Sequence, residues 1–434
     1  MFNFFGTFVN LVVWCTFASK FLPMQAEDLY TKILGVDLPW SIAEIEIDAT
    51  THRVIVALGH GASCQFPCSK CGNLGSVHDH QGVRTWRHLD TCQYETYLKA
   101  AVPRVKCRTC GISKASIPWA QPYSRFSELF ECHAIDVLQG CQVIERSALQ
   151  LRITPDQLNY LMRKSVERGL SLRQNVSIPL KKLAIDEKSR QTGHHYVTIL
   201  SDAVEGKVLE VSEDRTVEAV QKAYNALTTK QLESVESVAM DMWSPFESVT
   251  KQVIPQADVV HDRFHLSAYL NNAVDITRRA ENKKLVKNDD ILLQKTKYLW
   301  LKSPAKLTEK EKGRLCELFE SDKISNLITA YHLKEDFKNF FDCSSTESAT
   351  QFFTAWHDKV KKSQNVQLMK VGTLFEKHFA DILSYIKHRV TNAIAEGLNS
   401  RIQQLKAKAR GYKSTAAFRV AILFHFGKLH LYPN

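Results

Sequence analysis

The sequence predicts a multidomain α+β protein: a zinc-ribbon-like module, a helix-turn-helix segment, and a mixed α/β domain interrupted by an all-helical insertion. Three observations predict it. Two C-x-x-C-G pairs stand in the first quarter of the chain, Cys68-x-x-Cys71 and Cys107-x-x-Cys110. A run of short strands then passes into alternating helices and strands, and from Asn282 to about Lys387 the patterning is helical alone. With 434 residues, 44% of them hydrophobic, the chain has apolar surface for two or three cores.

The opening MFNFFGTFVNLVVWCTFASKFLP is apolar, yet it has no basic residue before Lys20 and is short for a membrane span. It is read as an extension over 1–23, outside the folded chain, with the true start at Met24. QAEDLYTKILGV then reads as an amphipathic helix. IAEIEIDATTHRVIVAL alternates apolar and polar residues and turns at Ala49-Thr50-Thr51, which predicts two strands. The cysteine pairs follow. In each, a tight turn aims two thiolates at one ion while glycine accepts the strained backbone, so Cys68, Cys71, Cys107 and Cys110 predict a structural four-thiolate zinc site. Buried thiol pairs are the plain alternative, and Cys64, His78 and His80 stand near enough to replace a thiolate. An odd total of 11 cysteines argues against a secreted disulfide framework and for a reducing, cytoplasmic setting.

Residues 126–170 read as helical. Thr154-Pro155-Asp156-Gln157 is a capping box with proline in the first turn, and Gly169 marks the far end, which predicts a last helix from Pro155 to about Arg168. Its stripe of Leu158, Leu161, Met162 and Val166 faces a core. Gln157, Asn159, Tyr160, Arg163 and Lys164 are left to read bases or neutralise phosphate in a major groove, unless the segment is an ordinary three-helix packing unit. Net charge agrees in sign, with 57 Lys and Arg against 46 Asp and Glu, or +11.

Beyond it come a strand KKLAID, a hairpin HHYVTILSD with GKVLEVSE, a helix TVEAVQKAYNAL, a strand VESVAMD, a second capped helix starting at Ser244-Pro245, and a strand ADVVHD before a helix from Phe264. This order predicts a mixed sheet of the RNase H type. Asp186 ends KKLAID and Asp241 ends VESVAMD, so neighbouring strands would deliver both to one sheet edge, and a helix carrying Glu396 can cross it. Three carboxylates there suit two divalent cations, Mg²⁺ or Mn²⁺, clamping a scissile phosphate. Glu187, Asp202 and Asp262 are rivals, Asp202 as a hairpin-turn residue and Asp262 as a strand-end cap. After Glu396 the chain has no acidic residue, and Lys406, Lys408 and Arg410 are placed to follow DNA backbone unless they form a solvated face.

Taken together, CSKCG with WRHLD, PRVKCRTCG, PWAQPYSRF, IDEKSRQTGHHYVTILSD, VAMDMWSPF, DVVHDRFHLSAYLNNAVDITRRAEN, KTKYLWLK and TNAIAEGLNSRIQQLKAKARGYKSTAAFR resemble the bacterial ISL-three transposase family, over nearly all the chain from Met24 onward. The extension from Met1 to Pro23 departs from that pattern. The resemblance implies an RNase H-like DDE enzyme that recognises terminal inverted repeats, cleaves at element ends and transfers strands to a target. It places the acids on Asp186, Asp241 and Glu396 and the zinc ligands on Cys68, Cys71, Cys107 and Cys110. His265 and Arg278-Arg279 match family positions without an assigned role. The expected domains are zinc-binding over 24–120, helix-turn-helix over 121–175, catalytic core over 176–282 and 386–434, and helical insertion over 283–385. The expected partner is double-stranded DNA, with a homodimer once paired ends are assembled and no membrane. The competing reading is a decayed or accessory DNA-binding protein that keeps the zinc and helix-turn-helix modules without cleavage.

Overall fold

The computed structural model describes residues 26–176, 178–191, 195–389 and 393–433. The extension over 1–23 lies outside them. Two compact units divide the chain, Met1–Leu161 with Leu431–Asn434, and Met162–His430. Among the described residues no helix is long and apolar enough to cross a membrane.

In the first unit, helix α1 (Ala26–Leu34) precedes the expected hairpin of β1 (Trp40–Asp48) and β2 (Arg53–His60). Asp48 fixes that turn by accepting from the N–H groups and hydroxyls of Thr50 and Thr51. Four further strands complete a sheet: β3 (Gln65–Pro67), β4 (Leu74–Arg87), β5 (Glu95–Cys107) and β6 (Gly111–Lys114), in the order β1-β2-β5-β4-β3 with β6 beside β5. The long pair β4 and β5 was not anticipated. In β4 the alternation is broken by two bulges and by exposure on both faces, while β5 alternates in burial but through weakly contrasting residues, with Thr96 and Ala100 inward and Tyr97 and Ala101 alternating with them. Trp40, Phe66, Trp86 and Trp119 pack edge to face in the core beneath it.

Helices α2 (Glu128–Cys141), α3 (Ile144–Leu151) and α4 (Pro155–Asn175) follow. The capping box at the start of α4 forms as expected: Gln157 N–H donates to Thr154 Oγ1 at 3.2 Å, and Thr154 N–H donates to Gln157 Oε1 at 2.9 Å. The far end does not. Helix α4 continues past Gly169 to Asn175 because that glycine serves packing rather than termination. A Cβ at Gly169 would lie 2.7 Å from Leu429 Cβ and 3.1 Å from the His430 carbonyl oxygen.

The second unit holds β7 (Lys182–Gln191), β8 (His195–Asp202), β9 (Lys207–Glu213), β10 (Ser237–Met240) and β11 (Asp258–His261). Their order is β11-β10-β7-β8-β9, antiparallel from β7 to β9 and parallel from β7 to β11. Helices α5 (Val217–Tyr224), α6 (Thr229–Glu233) and α7 (Ser244–Val253) connect the strands. Leu183 and Ile185 of β7 share a buried cluster with Tyr224, Val238, Met240, Phe246 and Val249, while Ala184 and Ala239 lie in a separate small cluster on alternate positions. Asp202 makes the expected turn, its Oδ1 accepting from the N–H groups of Val204 and Glu205. The cap expected at Ser244 is absent. Trp243 holds the cap position and provides no side-chain bond, its indole N–H being directed to the Arg215 carbonyl oxygen.

Helix α8 (Arg263–Val286), with Asp262 as its N-cap, leads into the helical region. There α9 (Lys297–Leu301), α10 (Glu309–Phe319), α11 (Ser325–Asp336), α12 (Thr346–Lys362), α13 (Val366–Lys377) and α14 (Phe379–His388) surround a core of Trp300, Phe337, Phe340, Trp356 and Phe375. The chain returns as α15 (Ala393–Lys408) and α16 (Thr415–Phe426), the latter against β9, where Arg419 pairs in a forked contact with Glu210.

Candidate functional site

The four cysteines are carried by two turns. Cys68 and Cys71 lie between β3 and β4, Cys107 and Cys110 between β5 and β6, and the β4–β5 pairing folds one turn over the other. The long gap between the pairs is therefore the length of this antiparallel ribbon. Gly72 and Gly111 hold positive φ values of 76° and 71°, the left-handed backbone that each turn requires. All four sulfurs lie within 4.8 Å of one another, against about 3.8 Å expected between sulfurs that share a tetrahedral zinc. Their electrostatics ask for a cation. The Cys68 thiol is drawn down to about 6, first by the Lys70 N–H and then by Ser113, whereas Cys110 is pushed up to about 12, first by the neighbouring Cys71 thiol. Zinc relieves that conflict by allowing all four to ionise. Cys64, His78 and His80 are not in the cluster: His78 faces Asp79 at 3.2 Å, and His80 meets His60 at 2.9 Å.

In the second unit β7 and β10 run parallel with Ala184 opposite Ala239, so the same register, continued, sets Asp186 beside Asp241, which lies just past the end of β10. Asp186 itself is not at the strand end expected for it, because β7 runs on to Gln191 in pairing with β8. Asp186 lies on the face away from Ile185 and accepts hydrogen bonds from Glu187 N–H at 2.7 Å and from the Asn399 amide of α15. Lys188 stands 4.0 Å from it. Burial raises the Asp186 carboxyl above the usual carboxylate range, against the opposing pull of Lys188, Glu187 N–H, His265 and Asn399. The residues present thus leave part of its negative charge uncompensated. His265 Nδ1 lies 3.5 Å from Asp241 Oδ1. Glu396 is exposed, one turn before Asn399 on the same face of α15. Its oxygens and those of the two aspartates do not fall within 4.8 Å of one another among the described residues.

The rival acids have other partners. Glu187 points to the opposite face and pairs with Arg215 at 3.1 Å, Asp202 binds Lys207 at 3.4 Å, and Asp262 caps α8. On α4, Asn159, Tyr160 and Arg163 are exposed. Gln157 is half-buried and its carbonyl is committed to the cap, and the Lys164 ammonium nitrogen is buried. Lys406 donates to the Ser189 carbonyl oxygen at 2.8 Å and so ties α15 to β7, while Lys408 and Arg410 are exposed. Sequence reasoning missed Asn399, whose contact with Asp186 depends on the packing of α15 against β7. It also missed a basic cleft of about 600 Å³ in the first unit, lined by Arg84, Lys114, Tyr123, Arg125, Arg152 and Gln157. Residues so scattered in the chain leave no local signal.

A family profile described as Transposase, of the ISL3 DDE type, matches residues 183–422, more than half of the chain. The chain belongs to the ISL3 transposase family. A profile described as the zinc-finger of transposase IS204/IS1001/IS1096/IS1165 matches residues 65–110 of this transposase, a span containing all four clustered cysteines. The transposase for insertion sequence element IS1001 from Bordetella parapertussis is 25% identical over 365 residues, covering 82% of this chain and 87% of that protein. The transposase for insertion sequence element IS1557 from Mycobacterium tuberculosis (strain CDC 1551 / Oshkosh) is 23% identical over 433 residues, covering 91% and 94%. The function is that of an insertion-sequence transposase, acting on DNA, with structural zinc in the cysteine cluster.

Proposed function

We propose that this transposase binds the terminal inverted repeats of its own element and cleaves and rejoins DNA strands at Asp186, Asp241 and Glu396. The observation that supports this reading most is the register that sets Asp186 of β7 beside Asp241 at the end of β10, with α15 fastened to Asp186 through Asn399. The mixed sheet is read as an RNase H-like core over 176–282 and 386–434, interrupted by the helical insertion over 283–385. Asp186, Asp241 and Glu396 would hold Mg²⁺ or Mn²⁺, which when bound would supply Lewis-acid stabilisation of the phosphate and an activated water or 3′ hydroxyl. The chain's own residues prepare the site. Asn399 orients Asp186, His265 stands beside Asp241, and the helical spacing of Glu396 and Asn399 sends both side chains from the same side of α15. A cation beside Asp186 would offset the burial that raises its carboxyl.

DNA recognition is assigned to the zinc module over 24–120 and to α2–α4, read as a helix-turn-helix over 121–175. Exposed Asn159, Tyr160 and Arg163 provide base and phosphate contacts, and the cleft lined by Arg84, Arg125 and Arg152 receives backbone phosphate. Lys408 and Arg410 extend the basic surface of the second unit. Paired ends call for a homodimer in the assembled complex, DNA-associated in the cytoplasm. The test is binding of the full chain to a duplex carrying the element's end and to a scrambled duplex over a salt series. Specific binding that weakens as salt rises, and that is lost in Cys68→Ser, is expected. Equal affinity for both duplexes would overturn the assignment of recognition to these modules.

A further inference from the structure

A second set of metal-ligating side chains converges within the second unit. Glu247 of α7, His261 at the end of β11, His378 between α13 and α14, and Asp381 of α14 each place one ligand atom within 4.8 Å of all the others. His261 is fully buried, and the other three are at most 16% exposed. His261 Nε2 lies 3.3 Å from Glu247 Oε1 and 3.9 Å from Asp381 Oδ2, and His378 Nδ1 lies 3.1 Å from Glu247 Oε1. Neighbouring ligands on a tetrahedral zinc-type ion stand about 3.3 Å apart for bonds of about 2.0–2.1 Å. These spacings fit.

Hydrogen bonding points the same way. His261 Nε2 and Glu247 Oε1 are buried and, among the described residues, neither makes a hydrogen bond of good geometry, although they lie within contact distance. Buried unsatisfied pairs of this kind call for an ion, a water or a strain account. The other ring nitrogen of His261, Nδ1, is 3.5 Å from the Met240 carbonyl oxygen. A proton held there leaves Nε2 as a lone-pair donor, the arrangement in which a second partner fixes a metal-binding tautomer. Lys251 is the one cation at the cluster among the described contacts, donating to Asp381 Oδ2 at 2.8 Å. Two carboxylates with neutral imidazoles carry two negative charges, which a dication balances once it displaces the Lys251 ammonium from Asp381.

We propose that Glu247, His261, His378 and Asp381 form a binding site for a zinc-class divalent cation that clamps the helical region to the five-stranded sheet. Its position suits that task. Helix α14 packs along β11, and the opposite end of the pair is already fastened by His388 and Lys387, each 2.6 Å from Asp258 Oδ2. The mixed imidazole and carboxylate set selects ions such as Zn²⁺ or Co²⁺ over Mg²⁺. This inference is independent of how the transposase cleaves DNA.

The test is metal stoichiometry of the full chain carrying Asp186→Asn and Asp241→Asn, which removes carboxylates from the other acidic site. Zinc titration followed by elemental analysis should give two tightly held ions per chain, falling to one when His261→Gln and His378→Asn are added. Cobalt titration of the chain without the histidine changes should show a second ion whose visible bands lack thiolate charge transfer. Lys251→Met should tighten that second ion by removing its competitor. One ion per chain, or two retained without His261 and His378, would show the cluster to be a protonated ion-pair network only. If the double histidine variant does not fold, His378→Asn alone and the cobalt spectrum decide the question.

Discussion

Asp186 combines burial with incomplete compensation, and its titration follows from that. Burial raises its carboxyl above the ordinary value of 3.8 despite Lys188 and His265. An acid whose folded pKa is raised favours the fold in its protonated form. That contribution is complete below pH 3.8 and is lost as pH rises through the folded value. Asp186→Asn, with zinc present and magnesium omitted, is therefore expected to be more stable than the unaltered chain at neutral pH. The difference should vanish in acid, as urea unfolding at both pH values would reveal, and a less stable variant at neutral pH would contradict the argument. In the proposed site Asn399 acts through Asp186, to which its amide donates. Asn399→Ala should raise the magnesium concentration for half-maximal cleavage by about 10–100-fold, the usual cost of losing a residue that orients a metal ligand. Unchanged magnesium dependence would remove Asn399 from that role. Asp241, just past the end of β10, and Glu396, in a helical motif, stand where the sequence pattern places them, whereas Asp186, expected at a strand end, lies inside β7, which runs on to Gln191 because it keeps pairing with β8. Asn399 could not be singled out, since an asparagine three residues after a glutamate is common on solvated helices.

At the scale of elements, the strands and helices of the second unit follow their patterning closely, and the departures lie where one residue type has two uses. Gly169 is compatible with a helix end or with close packing, and only Leu429 and His430 above it decide for packing. Gly169→Ala gains about 1 kcal/mol of helix propensity but drives a Cβ into Leu429, an overpacking cost of about 1–3 kcal/mol. A lower urea midpoint is expected, and a higher one would show that Leu429 moves aside freely. Ser244-Pro245 has the composition of a helix start, yet Ser244 is already the first helical residue and the cap position falls to Trp243, whose indole has a donor but no acceptor for the helix N–H groups and lies under the Arg215 guanidinium at 4.8 Å. The β4–β5 ribbon was hidden for a different reason: bulges and two-sided exposure erase alternation in β4, and the inward face of β5 includes Thr96 and Ala100, while the cysteine turns at its end remain visible.

For the whole molecule, local signals carried the zinc cluster, the order of strands around Asp186 and Asp241, and the helical character of the region before α15. What they did not carry is assembly from distant segments. Arg84, Arg125 and Arg152 meet in one cleft, and Glu247, His261 and His378 meet in one cluster, only because sheet pairing and helix packing bring them together. The helical region shows the same limit: its lysines suggest phosphate contacts, but Lys334 is buried and donates to the Trp300 carbonyl oxygen at 2.7 Å. The central claim is that Asp186, Asp241 and Glu396 work together on a DNA strand. It is tested most directly by strand cleavage of a labelled duplex carrying the element's end, with Mg²⁺, by the full chain and by Asp186→Asn, Asp241→Asn and Glu396→Gln. Cleavage by the unaltered chain, lost in all three variants while end binding persists, is the predicted result. Cleavage that survives in Glu396→Gln, or end binding without cleavage in the unaltered chain, would contradict it.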